Sequence, residues 1–371
     1  MTLLEPAFAH AEIDWEPQIP SPPAKLPDEW AERGNFWIAA VAEQAPKRRK
    51  RERSSAPLIL CGHGVSLRVE QGTLVIRDGF THYPQEQAAH RFFPGSRDIP
   101  TRILLLDGSG TLSFDVLSWL GEQGVALARV KWTGEVAAVA SGTGFAKDPE
   151  KLRWQHETRA DEAKRIEFSS DLIRRKLLRA IETLRDSLPE SRARTVAMDK
   201  LRVTCERLSR ERFAAINDIR ILEGECAARY FDAWQGLQME WTGTARSPVP
   251  DEWRGFTSRS SLANGTKPQN RCASHPLNAM LNYAYAVTLA QLQLEAIAGG
   301  YDPTIGIMHQ ARRGKPSFAL DMIEPQRPAV DEALLQFIRA RSFKRADFVI
   351  RPDGACRLSP QLARAVAALV S

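Results

Sequence analysis

The stretch GIMHQARRGKPSFALDMIEPQRP, residues 306–328, sets one histidine and two carboxylates around a basic loop. His309 precedes Arg312, Arg313 and Lys315, and Asp321 and Glu324 follow them. A histidine with two acids is a mixture of borderline and hard ligands suited to Mg2+ or Mn2+. Asp321 and Glu324 are three residues apart, so a helix would place them on one face, although Pro325 and Pro328 limit its length. A plainer alternative stays open, in which Asp321 caps a helix, Glu324 is a surface charge and His309 is a hydrogen-bonded core residue. The cations between them need a separate cause. A polyanionic substrate for the metal supplies one.

A fourth group strengthens the metal reading. In ILEGECAARYF, Glu223 stands among Ile221, Leu222, Ala227, Tyr230 and Phe231, an apolar helical setting in which a carboxylate is costly unless paired or metal-bound. Glu225, two residues on, points to a different face. HPLNAMLNYAYAV adds His275, Asn278, Asn282, Tyr283 and Tyr285, groups that cap or bridge helices or, as a lesser alternative, position phosphate or water. Residues 244–272, TARSPVPDEWRGFTSRSSLANGTKPQNRC, read as a long surface loop. Its cations, Arg259 and Lys267 among them, with Trp253 and Phe256, suit single-strand contact, where phosphates pair and bases stack.

Elements must hold these groups in place. The chain of 371 residues, 43% hydrophobic, is long enough for two domains with their own cores. Residues 1–55 show little regular pattern and end in PKRRKRERSS, a solvated linker or a basic arm for nucleic acid. From residue 56, PLILCGHGVSLRVEQGTLVIRDG reads as hairpin strands and RILLLDGSGTLSFDVLSWLGEQGVALARV as strand, glycine loop, helix and strand. Gly108-Ser109-Gly110 is followed by neither a third glycine nor Lys-Ser/Thr, so it fits no phosphate-binding fingerprint and reads as a turn, with Thr111 or Ser113 as caps. Beyond about residue 145, apolar residues recur every three or four positions, the pattern of amphipathic helices. The expected fold is α+β: an N-terminal extension and basic linker over 1–55, a small β-rich domain over 56–145, and a larger all-α domain over 146–371.

Five cysteines without CxxC spacing argue against a disulfide framework or a zinc knuckle. No apolar run reaches the length of a membrane span, and the acidic, proline-containing start lacks the pattern of a signal peptide. The expectation is a cytoplasmic protein with no membrane contact. A net charge of +6 leans towards anionic partners.

Taken together, LEGECAARYF, HPLNAMLNYAYAV, DPTIGIMHQ and FALDMIEPQRPAVD resemble the CRISPR-associated Cas-one integrase family, over roughly residues 56–345. The combination of Glu-Gly before a small-residue helix, Asn-x-x-Leu-Asn-Tyr, Gly-x-x-His and Asp-x-x-Glu-Pro-x-Arg-Pro is specific, where each piece alone is weak. The resemblance implies that Glu223, His309 and Glu324 ligate a divalent metal and that Asp321 supports the site. It also implies a β-domain homodimer contact, a partnership with the small Cas-two protein, and insertion of short double-stranded DNA into a CRISPR array. Arg312, Arg313 and Lys315 would hold the DNA backbone. This chain has Glu225-Cys226 where the family often has Asn-Ala, which alters local charge without replacing a ligand. Two other readings compete: a catalytically silent DNA-binding scaffold and a stand-alone structure-specific repair endonuclease.

Overall fold

A computed structural model describes residues 29–44, 53, 56–80, 87–131, 136–140, 148–259, 273–310 and 315–370. The first element is a helix, α1 (Glu29–Gln44). Strands β1 (Leu58–Glu70) and β2 (Thr73–Arg77) then form an antiparallel hairpin, and β3 (Ala89–Phe92) pairs with β2. β4 (Arg102–Leu112) lies parallel to β1, and α2 (Phe114–Glu122) carries the chain over to β5 (Ala126–Val130), parallel to β4. β6 (Val136–Ala140) closes the six-stranded order β3-β2-β1-β4-β5-β6.

The two-residue alternation of a strand dictates what each sheet face meets. Leu60, Val65, Leu67, Leu74 and Ile76 pack under Val116, Trp119 and Leu120 of α2. Ile59, Cys61, Leu104, Leu106 and Val130 face the other way. They meet Ala286, Val287, Ala290 and Leu294, so the sheet and the helical part share a core. Those four residues belong to α7 (Pro276–Ala298) of the helical series α3 (Pro149–Ala160), α4 (Glu162–Ser187), α5 (Arg192–Arg210) and α6 (Ile216–Asp232). The series ends with α8 (Ser317–Ile323), a 3-10 turn at Glu324–Gln326, α9 (Arg327–Arg339) and α10 (Pro360–Leu369). Asp148, Asp161, Ser191, His275 and Ser359 cap α3, α4, α5, α7 and α10 with side-chain acceptors. Among the described residues no helix is long and apolar enough to cross a membrane.

Four expectations change. The helical part is not all-α: β7 (Glu240–Trp241) pairs with β8 (Ser342–Phe343), and β9 (Phe348–Ile350) with β10 (Cys356–Leu358). These strands are too short for sequence alternation to register.

Residues 29–44 of the supposedly irregular N-terminal extension form α1, and α1 belongs to the helical core. Trp37 is fully buried against Phe337 and Phe343, and its Nε1 donates to Asp347 at 2.9 Å. Arg33 forks onto the same carboxylate at 2.9 and 2.8 Å. Of the basic run, residues 47–52 lie outside the described residues, while Arg53 donates to the Gln123 carbonyl at 2.8 Å.

Gly108-Ser109-Gly110 is not a loop but part of β4, where pairing with β1 shifts register. The shift brings backbones so close that a Cβ on Gly108 would lie 1.9 Å from the Gly62 carbonyl oxygen. Glycine is required there by approach, not by a ligand. Ser113 does sit at the α2 N-cap position but makes no side-chain cap bond.

Trp253 and Phe256, expected on a surface loop, are 3% and 1% exposed. Trp253 stacks on Trp241 and Phe256 packs near Trp234, so both fill the core and offer no face to a base.

Candidate active site

Three elements converge where α4 crosses α6 and the α8–α9 junction. Leu172, Ile173, Leu177 and Ala180 form the buried stripe of α4, and Leu222 and Cys226 that of α6. Thr183 fixes the start of α9 by donating to the Pro328 carbonyl at 3.0 Å. These contacts bring Glu223 of α6 and Glu324 of the 3-10 turn to one point. Between them stands Lys176 of α4, donating to Glu223 Oε1 in a short contact and to Glu324 Oε2 at 2.7 Å. Arg327 Nε donates to the other Glu324 oxygen at 3.0 Å and its guanidinium lies 4.6 Å from the Tyr285 ring centre.

Burial works to raise the Glu324 carboxyl, but Arg327 and Lys176 outweigh it and hold the group at about 2. Burial likewise opposes the Lys176 charge, and Glu324 and Glu223 overcome it, so the ammonium holds its proton more firmly than usual.

Asp321, fully buried, does not share this point. Its Oδ2 accepts the backbone N–H groups of Ile307 and Met308 at 2.5 and 3.2 Å. Its Oδ1 accepts the N–H of His309 at 2.9 Å and meets His309 Nδ1 at 2.7 Å. Facing a carboxylate, Nδ1 is the ring nitrogen that donates, and Nε2 is the one left for a ligand role, the arrangement in which a carboxylate orients a metal-binding histidine. Arginines take the carbonyls of the same loop: Arg159 reaches Gly306, Arg165 reaches Ile307 at 2.8 Å, and Arg220 reaches Met308. Gly306 makes the fold of this loop possible, since a Cβ there would lie 2.6 Å from Ser317 Cβ and 2.8 Å from the His309 carbonyl oxygen. The helix tightens to a 3-10 turn after Ile323, and the two acids serve different partners instead of one shared face.

A further layer supports Glu324. Asp331 is buried and accepts hydrogen bonds from Tyr230, at 2.9 Å, and from Tyr285. Burial pushes its carboxyl up to about 6, while the two tyrosines and Arg327 pull against that rise. Arg259 is pinned to α7 by Asn282 Oδ1 at 2.7 Å, and Asn278 Nδ2 donates to the Ser258 carbonyl at 2.9 Å. A cavity of about 300 Å³ is lined by Lys176, Glu223, Arg259, Tyr285, Glu324 and Arg327, among others.

The donor set fits a hard divalent ion in part. Two carboxylates converge on a cationic centre, and His309, held through Nδ1 by Asp321, has Nε2 as its remaining ring nitrogen. Among the described residues no three His, Cys, Asp or Glu side chains already gather at ligand spacing, and the centre the two acids share is an ammonium. Of the basic residues singled out in the sequence, Arg312, Arg313 and Lys267 lie outside the described residues, and Lys315 is half-buried just before α8. Glu225 points away, pairing with Lys200 at 2.7 Å.

Sequence reasoning passed over Lys176, Asp331 and the arginines of α3, α4 and α6 that hold the histidine loop. Lys176 did leave a signal. It lies four residues after Leu172, three after Ile173 and four before Ala180, a lysine set into the apolar stripe of its own helix.

Residues 58–371 match the family model described as CRISPR associated protein Cas1, and the chain belongs to that family. A CRISPR-associated endonuclease Cas1 from Korarchaeum cryptofilum is 24% identical over 307 residues, covering 77% of this chain and 78% of the relative. A Cas4 exonuclease/Cas1 endonuclease fusion from Geobacter sulfurreducens is 34% identical over 139 residues, 37% of this chain. The match spans only 22% of that fusion, and 34% of a similar fusion from Rhodospirillum rubrum. Among solved structures, a casposase bound to an integration product superposes with a TM-score of 0.68 at 23% identity, covering 85% of this chain and 81% of its own. A Cas1 protein from Thermotoga maritima gives a TM-score of 0.61 at 14% identity, covering 85% and 90%. Both share the fold. α1 precedes the matched residues.

Proposed function

We propose that this protein is a divalent-metal-dependent DNA integrase and endonuclease of CRISPR adaptation. It joins a donor 3′-hydroxyl to a phosphodiester of the CRISPR repeat. The convergence of Glu223 and Glu324 on one cationic centre, beside a histidine oriented by Asp321, carries this reading. Glu223, Glu324 and His309 Nε2 would hold Mg2+ or Mn2+. A divalent ion there supplies electrostatic activation of the attacking hydroxyl and stabilisation of the departing oxygen, without a covalent enzyme intermediate.

The chain's own residues do the rest. Asp321 and the loop arginines hold His309 in one orientation. Arg327 keeps Glu324 ionised, and Arg259 and Arg327 make the cavity wall cationic, which suits a phosphodiester.

Double-stranded DNA is the partner this chemistry requires, and the cytoplasm is where that DNA is met. One fold relative is solved in an assembly named a Cas6-RT-Cas1–Cas2 complex, TM-score 0.60 at 16% identity, and we assign a Cas2-type partner here by analogy. Phe114, 87% exposed at the start of α2, with Leu117 of the same helix and Leu112 at the end of β4 also exposed, gives this part of the strand-rich half an apolar surface suited to a homodimer contact.

A strand-transfer assay with labelled donor and supercoiled plasmid tests the reading. A donor with a free 3′-hydroxyl becomes covalently joined in Mg2+ or Mn2+; a 3′-dideoxy donor binds equally well and is not joined. Joining of the dideoxy donor, or joining in excess chelator, would overturn it. Binding with neither cutting nor joining identifies a scaffold, and cutting without joining a nuclease alone.

A further inference from the structure

We propose that Lys176 is a built-in competitor for the metal. Its ammonium fills the cation position between Glu223 and Glu324 in the resting protein, and a divalent ion binds by displacing it. This rests on the metal-site reading above.

The geometry is specific. Lys176 Nζ bonds both carboxylates at once, through Glu223 Oε1 and, at 2.7 Å, Glu324 Oε2, with its side chain only 13% exposed. It does not reach in from the surface. Its helix position lies on the stripe of Leu172, Ile173, Leu177 and Ala180, so the stem rises from the core between α6 and the α8–α9 junction. An ammonium has three donors and no acceptor, so it recognises just what a hard cation recognises, carboxylate oxygens. A divalent ion takes such oxygens at about 2.0–2.2 Å. The ion and the ammonium therefore compete for the same two oxygens, and like charge keeps them from sharing the point.

Such a lysine serves the metal-free protein. Two carboxylates brought together without a counter-charge repel, and one of them would take up a proton. Lys176 supplies that counter-charge through its bonds to both carboxylates and ties α4 to α6 and to the turn before α9, and in doing so weakens the site for metal. Once displaced, the ammonium stays tethered on its four-carbon stem in a cavity whose other cations are Arg259 and Arg327. The anion the reaction brings to that cavity is the phosphodiester. A lysine with only a structural role makes the opposite prediction, since its removal would disorder the carboxylates and weaken the metal.

The test is Mn2+ binding to the full chain, followed by calorimetry and by electron paramagnetic resonance, for wild type, Lys176→Met and Lys176→Arg. Circular dichroism checks folding, and Lys176→Gln replaces Lys176→Met should that variant not fold. Removing the competitor tightens Mn2+ binding by about ten-fold or more, a change that corresponds to one lost charge-assisted contact. Lys176→Arg, which keeps a cation in place, gives no such gain. Equal or weaker binding by the uncharged variant, beside a wild type that binds Mn2+, overturns the proposal and leaves the metal site standing. Absence of Mn2+ binding in every protein, with strand transfer persisting in chelator, removes the metal reading as well.

Discussion

At His309 the choice of ring nitrogen is made by Asp321. Its Oδ1 lies 2.7 Å from Nδ1, and the remaining capacity of the carboxylate is taken by three successive backbone N–H groups. In the proposed reaction Asp321 therefore acts only through the histidine. Asp321→Asn leaves a single neutral acceptor where two charged oxygens served four contacts, so loop and ring both lose their fixed orientation. Mn2+ affinity should fall about ten- to one-hundred-fold, the range seen when such outer partners of a metal ligand are removed. Calorimetric titration with Mn2+ checks this, with Glu225→Gln as the control. Glu225 is exposed and pairs with Lys200, and its substitution should leave the affinity unchanged. Equal affinity for Asp321→Asn and wild type would remove the positioning role.

At the scale of elements, α1 and α7 decide whether the helical part holds together. Trp37 of α1 is enclosed by Phe337, Phe343 and the Asp347 carboxylate, so α1 is a wall of the core and not an appendage. Trp37→Ala should cost about 3–5 kcal/mol, the usual range for truncating a buried tryptophan. Urea denaturation reads that loss, and a change below about 1 kcal/mol would show that α1 is dispensable.

α7 begins at His275, whose Nδ1 accepts the Leu277 N–H at 3.1 Å. Burial pushes this imidazole down to about 4, with backbone bonds at Trp253 and Gly255 only partly opposing it. The folded state thus binds the proton less well than the unfolded chain, where an imidazole titrates near 6.5. Its contribution to stability is whole above pH 6.5 and is lost as pH falls towards 4, by about 3 kcal/mol in all. His275→Asn retains an acceptor for the Leu277 N–H and cannot titrate. Denaturation midpoints of the variant should therefore decline less than wild type between pH 6.5 and 4. Parallel declines would place the acid sensitivity elsewhere.

At the scale of the whole molecule, sheet and helices are joined by a common core and by charge. One face of the sheet is closed by α7 and by Ala367 of α10, and Arg364 of α10 reaches Asp78, which itself accepts the Cys61 N–H at 2.9 Å. The strand-rich first half and the helical second half were legible in the sequence because their periods, two and three to four, are local properties of neighbouring residues. Glu223 stood out in the sequence because a carboxylate in an apolar helix is costly without a partner, and His309 and Glu324 because a histidine and acids close together are a ligand-type set. Sequence also implied the Cas1 family, through the combined motifs of residues 222–231, 275–287 and 302–331. What it left open was set by contacts between residues far apart in the chain. α1 has apolar residues, Trp30, Phe36 and Ile38, on exposed faces as well as a buried Trp37, so its stripe is blurred until Asp347, 310 residues on from Trp37, selects one side. Trp253 and Phe256 look like loop aromatics until Trp241 and Trp234 enclose them. Lys176 is one cation among many in its helix, and only the crossing of α4 with α6 and α9 makes it the centre that Glu223 and Glu324 share. Spacing along a chain fixes which side chains share a face of one helix. Which groups from different helices meet at a point depends on how those faces pack, and only the tertiary structure decides that.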